Sequence, residues 1–146
     1  MKNNVLFRVD SSSEIGLGHL MRCLVLAKQY KKENIIFAAQ DLDGNANQKI
    51  INKNYKLIIL NTNSSIELCE YIQLMNIDNV IFDHYGIDNN FEKKVKDKTG
   101  VKILSFDDTY KKHYCDVVLN HNICADASKY KGLVPKFCEV RCGKKY

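Results

Sequence analysis

The sequence predicts an α/β fold, a Rossmann-like and mostly parallel sheet with helices on both faces. Three observations carry that expectation. Short, nearly continuous apolar runs recur along the chain, as expected of strands covered on both faces. Longer stretches with three- and four-residue apolar spacing alternate with them, the signature of amphipathic helices. Polar residues that can do chemistry gather just after the strands, where ligands bind in open parallel sheets.

The strands are read at 5–10 (VLFRVD), 35–39 (IIFAA), 56–60 (KLIIL), 79–83 (NVIFD), 101–106 (VKILSF) and 116–120 (DVVLN). The first helix is read at 19–32, because Leu20, Cys23, Leu24, Ala27 and Tyr30 fall on one face. Further helices are read at 45–53, 64–75 and 89–98. Ser64 or Ser65 is a candidate cap for the third, with Glu67 nearby. Alternating strands and helices imply right-handed crossovers. No internal repeat, low-complexity tract or linker interrupts the chain, and Pro135 is the sole proline.

A chain of 146 residues with 45% apolar side chains is sized for one domain with a packed core, so global disorder is excluded. No apolar run approaches the roughly 20 residues that span a bilayer. The opening MKNNVLFR lacks the apolar core of a signal peptide. The expectation is a cytoplasmic protein with no membrane partner. The net charge is +5, but only Arg8, Arg22 and Arg141 of the 22 basic residues are arginines. Scattered lysines on solvated faces argue against nucleic acid as a partner and suit a small anionic substrate. Six cysteines include no C-x-x-C pair; Cys138 with Cys142 and His113 with Cys115 match zinc spacings poorly. Free thiols and no metal are expected.

The densest chemical signal is RVDSSSEIGLGHLMRC, residues 8–23. Gly16 and Gly18 invite a dinucleotide reading, with Asp41 near the ribose-binding position, but Met21 occupies the place of the third glycine. No G-x-x-x-x-G-K-[ST] is present, so no nucleotide cofactor is expected. Otherwise the glycines turn the chain sharply and deliver His19 to a helix N-terminus, which disfavours imidazolium and suits a neutral base. Arg22 lies one turn on. On the residues alone, His19 is either such a base or a histidine that merely caps a helix. Asp10 and Ser13 either hold a ligand or organise the loop. Asp83, His84 and Tyr85 follow strand four, Asp107 and Asp108 follow strand five as a possible carboxylate pair, and Asn120 to Asn122 follow strand six.

FRVDSSSEIGLGHLMRCLVLA, IFDHYG, KILSFDD, CDVVLN and YKGLVP together resemble the UDP-sugar hydrolases of pseudaminic acid biosynthesis. The resemblance runs along the whole chain in order. It implies release of 2,4-diacetamido-2,4,6-trideoxy-L-altrose from its UDP conjugate, in an enzyme similar to GT-B glycosyltransferases. His19 would be the catalytic base and Tyr85 a second catalytic residue. Asp10, Ser13, Gly16, Gly18, Arg22, His84, Asp107 and Asp108 would line the substrate site. No metal or cofactor is implied. The family carries a second domain of comparable size, so residues 1–146 are expected to be the N-terminal half, and UDP-sugar and that C-terminal domain the expected partners. A sugar-nucleotide-binding half-domain without catalysis, or a related transferase, are the alternatives.

Overall fold

A computed structural model describes residues 2–143. Seven strands, β1 (Asn4–Val9), β2 (Asn34–Gln40), β3 (Lys56–Leu60), β4 (Asn79–Asp83), β5 (Lys102–Phe106), β6 (Val117–Asn120) and β7 (Glu139–Cys142), form one sheet. Every pairing is parallel, in the order β3-β2-β1-β4-β5-β6-β7. The order reverses at β1, whose neighbours are β2 and β4, and there a doubly wound sheet opens its ligand crevice.

Four helices cover the sheet: α1 (Gly18–Ala27), α2 (Gln48–Asn52), α3 (Ser65–Leu74) and α4 (Asn89–Thr99). Alternation along β1 sorts them into two layers. Val5, Phe7 and Val9 pack with Leu20, Cys23, Leu24 and Ala27 of α1 and Ile50 of α2. Leu6 faces the other way, into a cluster with Leu68, Cys69 and Ile72 of α3 and Val95 of α4. Each fully buried leucine contributes roughly 1.5–3 kcal/mol. Ser64 is the cap of α3, accepting from the Glu67 amide at 3.2 Å. Asp88 caps α4 in the same way, accepting from the Phe91 amide at 2.9 Å, and Gly100 closes it in the left-handed conformation.

The helix expected at 19–32 stops at Ala27; Tyr30 instead closes a turn and stacks edge-on against Phe7. The helix expected at 45–53 shrinks to Gln48–Asn52, because Asn45 and Asn47 spend their side chains on local turn bonds. Strand β7 and a 3₁₀ turn at Ala127–Tyr130 were not anticipated by the sequence pattern. EVRC is too short to show a period, and its pairing with β6 defines it. No helix among the described residues is long and apolar enough to cross a membrane.

Candidate functional site

Register decides what meets at the switch point. Val9 of β1 pairs with Asp83 of β4, so Asp10 and His84 emerge side by side from the two strand ends. The two acids divide the work. Asp10 faces Arg8, two residues back on the same strand. The Arg8 guanidinium is 1% exposed and lies 2.8 Å from the Asp10 carboxylate, while its Nη2 also donates to Asn63 at 2.9 Å. Asp10 further accepts from the Gln40 amide at 2.7 Å and from His84 Nε2 at 2.8 Å. Burial would raise its pKa, but the bonds from His84 and Arg8 prevail and hold the carboxyl well below the usual range. With both oxygens engaged, these bonds favour the loop-organising alternative for Asp10. His84 is equally occupied. Its Nδ1 accepts from the Gly86 amide at 2.9 Å, which turns Nε2–H toward Asp10. A Cβ on Gly86 would come within 2.9 Å of that ring, so the position needs glycine.

Asp83 serves the helix that faces it. His19 and Arg22 lie three apart on α1 and point the same way. His19 Nδ1 is 2.7 Å from Asp83 Oδ1, and Arg22 grips both Asp83 oxygens through Nε and Nη2. The Asp83 side chain is 1% exposed, that of His19 12%. Donation from Nδ1 to Asp83 leaves the Nε2 lone pair of His19 unspent. Arg22 also lies over the Phe106 ring at 4.7 Å and is fixed in place. Burial works against its charge, but the bonds to Asp83 outweigh it and raise its pKa further.

Tyr85 completes the mouth. Its ring meets that of His19 edge-on at 4.7 Å, and its hydroxyl donates to Asp108 at 2.9 Å. That bond to Asp108, ahead of burial, raises the phenol's pKa. Lys111 lies over the other side of the ring at 5.1 Å. Tyr85 remains 56% exposed. Asp10, Ile15, His19, Asp83, His84, Tyr85 and Gly86 surround a pocket of about 120 Å³. A larger groove of about 950 Å³ opens at the opposite, amino ends of the strands, beside Asn4, Asn34 and Lys56. Neither histidine nor aspartate lines it; the candidate site residues gather at the smaller pocket.

The serine–glycine loop is a built turn. Ser12 Oγ accepts from the Ile15 amide at 2.8 Å, and the Gly16 amide returns to Ser12 O at 2.8 Å. Gly16 needs its freedom, with φ at +83°. Gly18 opens α1, and open space surrounds its Cα. Ser13 leans on the neighbouring loop, its amide donating to Asp43 O at 3.0 Å.

Asp107 and Asp108 do not form a carboxylate pair. Asp108 turns out toward Tyr85, and Asp107 turns in, accepting from the Tyr130 hydroxyl and from the Lys111 amide at 3.2 Å. Adjacent residues at a strand end point to opposite sides. Asn120 belongs to the inner network too, donating to Tyr130 Oη at 3.1 Å. Sequence reasoning missed Arg8, Asn63 and Lys111. Arg8 had a signal: a charge inside an apolar strand, two residues before an acid on the same face. Asn63 and Lys111 had none, since only tertiary structure brings them to the site.

The fold and site define a doubly wound parallel α/β domain with a histidine–aspartate pair at its switch point. No protein-family model matches the chain. It is 51% identical, over 97% of its length, to the UDP-2,4-diacetamido-2,4,6-trideoxy-beta-L-altropyranose hydrolase of Campylobacter jejuni, matching the N-terminal half of that protein. It is 33% identical, over 76% of its length, to an uncharacterized protein of Methanocaldococcus jannaschii, of which it covers 23%. The chain thus spans half or less of the length of these curated relatives.

Proposed function

We propose that this chain carries the catalytic base of a UDP-sugar hydrolase, the activity for which the Campylobacter protein is named, acting on a UDP-linked 2,4-diacetamido-2,4,6-trideoxy sugar of pseudaminic acid biosynthesis. The observation that carries the proposal is the His19–Asp83 contact at 2.7 Å beside an open pocket. Asp83 holds the ring in one tautomer, and Nε2 is left to take a proton from water. The water attacks the anomeric carbon, the bond to the diphosphate oxygen breaks, and UDP leaves. Asp83 then faces the imidazolium that forms and stabilises it. UDP is a good leaving group, so a base is the chemistry the protein must supply, worth typically 10²–10⁴-fold. Direct attack inverts the anomeric centre. Tyr85 holds the water or the sugar over the mouth. A second domain of GT-B type supplies the rest of the cleft and most uridine contacts.

The test is UDP release in a protein of the relative's full length carrying this domain. His19→Ala lowers kcat by about two to four orders of magnitude and moves KM little, since a base acts in the transition state. Near-normal turnover would remove His19 from the mechanism. UDP formed only with an added acceptor would make the protein a transferase, and binding without release a non-catalytic module. Residues 1–146 alone should turn over poorly.

A further inference from the structure

Away from the site, two sulfurs meet that the sequence separates by more than twenty residues. Cys115 Sγ lies 3.8 Å from Cys138 Sγ. Cys115 precedes β6 and is fully buried; Cys138 precedes β7 and is partly exposed. They face each other diagonally across the entrance to the β6–β7 pair: Val117 pairs with Glu139, so Cys115 stands one residue before the position opposite Cys138, and the Glu139 amide donates to Asp116 O at 2.8 Å. Adjacent parallel strands run about 4.8 Å apart and rise about 3.3 Å per residue, so this diagonal sets the Cα atoms roughly 6 Å apart, inside the 4.4–6.8 Å window that a disulfide bridges. Cys142 is excluded as the partner of Cys138. The extended chain between them holds their Cα atoms roughly 13 Å apart.

We propose that Cys115 and Cys138 are a reversible dithiol–disulfide pair that fastens the edge strand β7 to the sheet. Among the described residues β7 is bonded on one side only, to β6, and none of its four residues is fully buried. A covalent link at its entrance secures the strand where its packing is weakest.

The chemistry is exchange with a low-molecular-weight disulfide. The Cys138 thiolate attacks one sulfur of that disulfide, forming a mixed disulfide and expelling one small thiolate. Cys115 then attacks Cys138 Sγ, expelling the second thiolate, which carries away the proton that Cys115 gives up. Two protein thiols lose two electrons, and the small disulfide becomes two thiols. Exposure makes Cys138 the entry point. Its thiol is also held below the ordinary range by its bond with Cys115, while that bond and burial push Cys115 up.

Glutathione disulfide is the probe. The folded protein is incubated with it, quenched in acid, unfolded, and its thiols counted and mapped by mass spectrometry. The thiol count is expected to fall by two from six. Trypsin leaves Cys115 and Cys124 on one peptide, so a second cut before Asp116 assigns the bond. Cys124→Ser should leave the disulfide intact, and Cys138→Ser should abolish it. In Cys115→Ser, Cys138 should stop at the glutathione adduct. Six thiols remaining, glutathione held by Cys124 alone, or a Cys138–Cys142 link would each overturn the proposal. The wild-type mapping stands even if Cys115→Ser does not fold.

Discussion

Two of the molecule's histidine–carboxylate assemblies, one at the pocket and one in the interior, are built from similar parts and work differently. At the mouth, His19 meets Asp83 through one nitrogen and keeps the other free beside a pocket. Inside, His113 lies between two acids. Its Nδ1 is 3.0 Å from Glu92 of α4, and its Nε2 faces Asp107 at 3.6 Å. Glu92 also accepts from Ser105 and from the Tyr114 amide, and Asp107 from Tyr130. Burial would drive a proton off His113, but the nearby Asp107 carboxylate and the bond to Glu92 prevail and its pKa is pushed up to about 9. Asp107, buried yet facing the His113 cation and bonded by Tyr130, is held well below the usual carboxylate range. The inner histidine is a cation clamped between anions, tying the loop after β5 to α4. The lesson is that a histidine beside a carboxylate is not by itself a catalytic signature. What sets His19 apart is a nitrogen left free beside a pocket, the feature on which the proposed base rests.

Exchanging the two histidines' fates is the strongest way to break this contrast. His113→Ala leaves Glu92 and Asp107 buried without their cation and should cost about 3–5 kcal/mol in urea unfolding. His19→Ala should cost under about 1 kcal/mol in the same measurement, because Arg22 still satisfies Asp83, while the full-length protein loses turnover. Comparable stability losses for the two would erase the distinction.

Next in size is the pH dependence. The folded pKa of His113 is raised from 6.5 to about 9, so its contribution is complete below pH 6.5 and is lost as pH rises through 9. Unfolding free energy should fall by up to about 3 kcal/mol across that interval. Asp10 and Asp107 act in the opposite direction: their depressed pKa values add stability above about pH 4 that is lost on further acidification. Denaturation curves from pH 3 to 10 should therefore show a dome. A flat alkaline limb would mean that His113 is neutral in the fold.

The smallest effect sharpens the mouth. Tyr85→Phe removes one hydrogen bond from a side chain that is 56% exposed. Stability should change by less than about 0.5 kcal/mol. UDP release should fall by less than the loss in His19→Ala, and a loss as large as that one would make Tyr85 the principal catalytic group.

The sequence by itself determined the layers and the end of the sheet where the site lies. Apolar runs at 5–10, 35–39 and 79–83 read as strands covered on both faces, and Leu20, Cys23, Leu24 and Ala27 as the inner face of a helix, and the structure has them so. Hydrophobic periodicity is local, so it is legible residue by residue. The glycine loop likewise announced His19 at a helix start, where the structure has it. Partners were not legible. His19 finds Asp83 across 64 residues, Asp10 finds His84 across 74, and His113 finds Glu92 across 21. Nothing in the spacing of these residues distinguishes His19, with one nitrogen free beside the pocket, from His84, whose two nitrogens are bonded, or from His113, held between two buried acids. That choice belongs to strand register and to which face of a strand end each side chain leaves, and both are settled only when the sheet assembles.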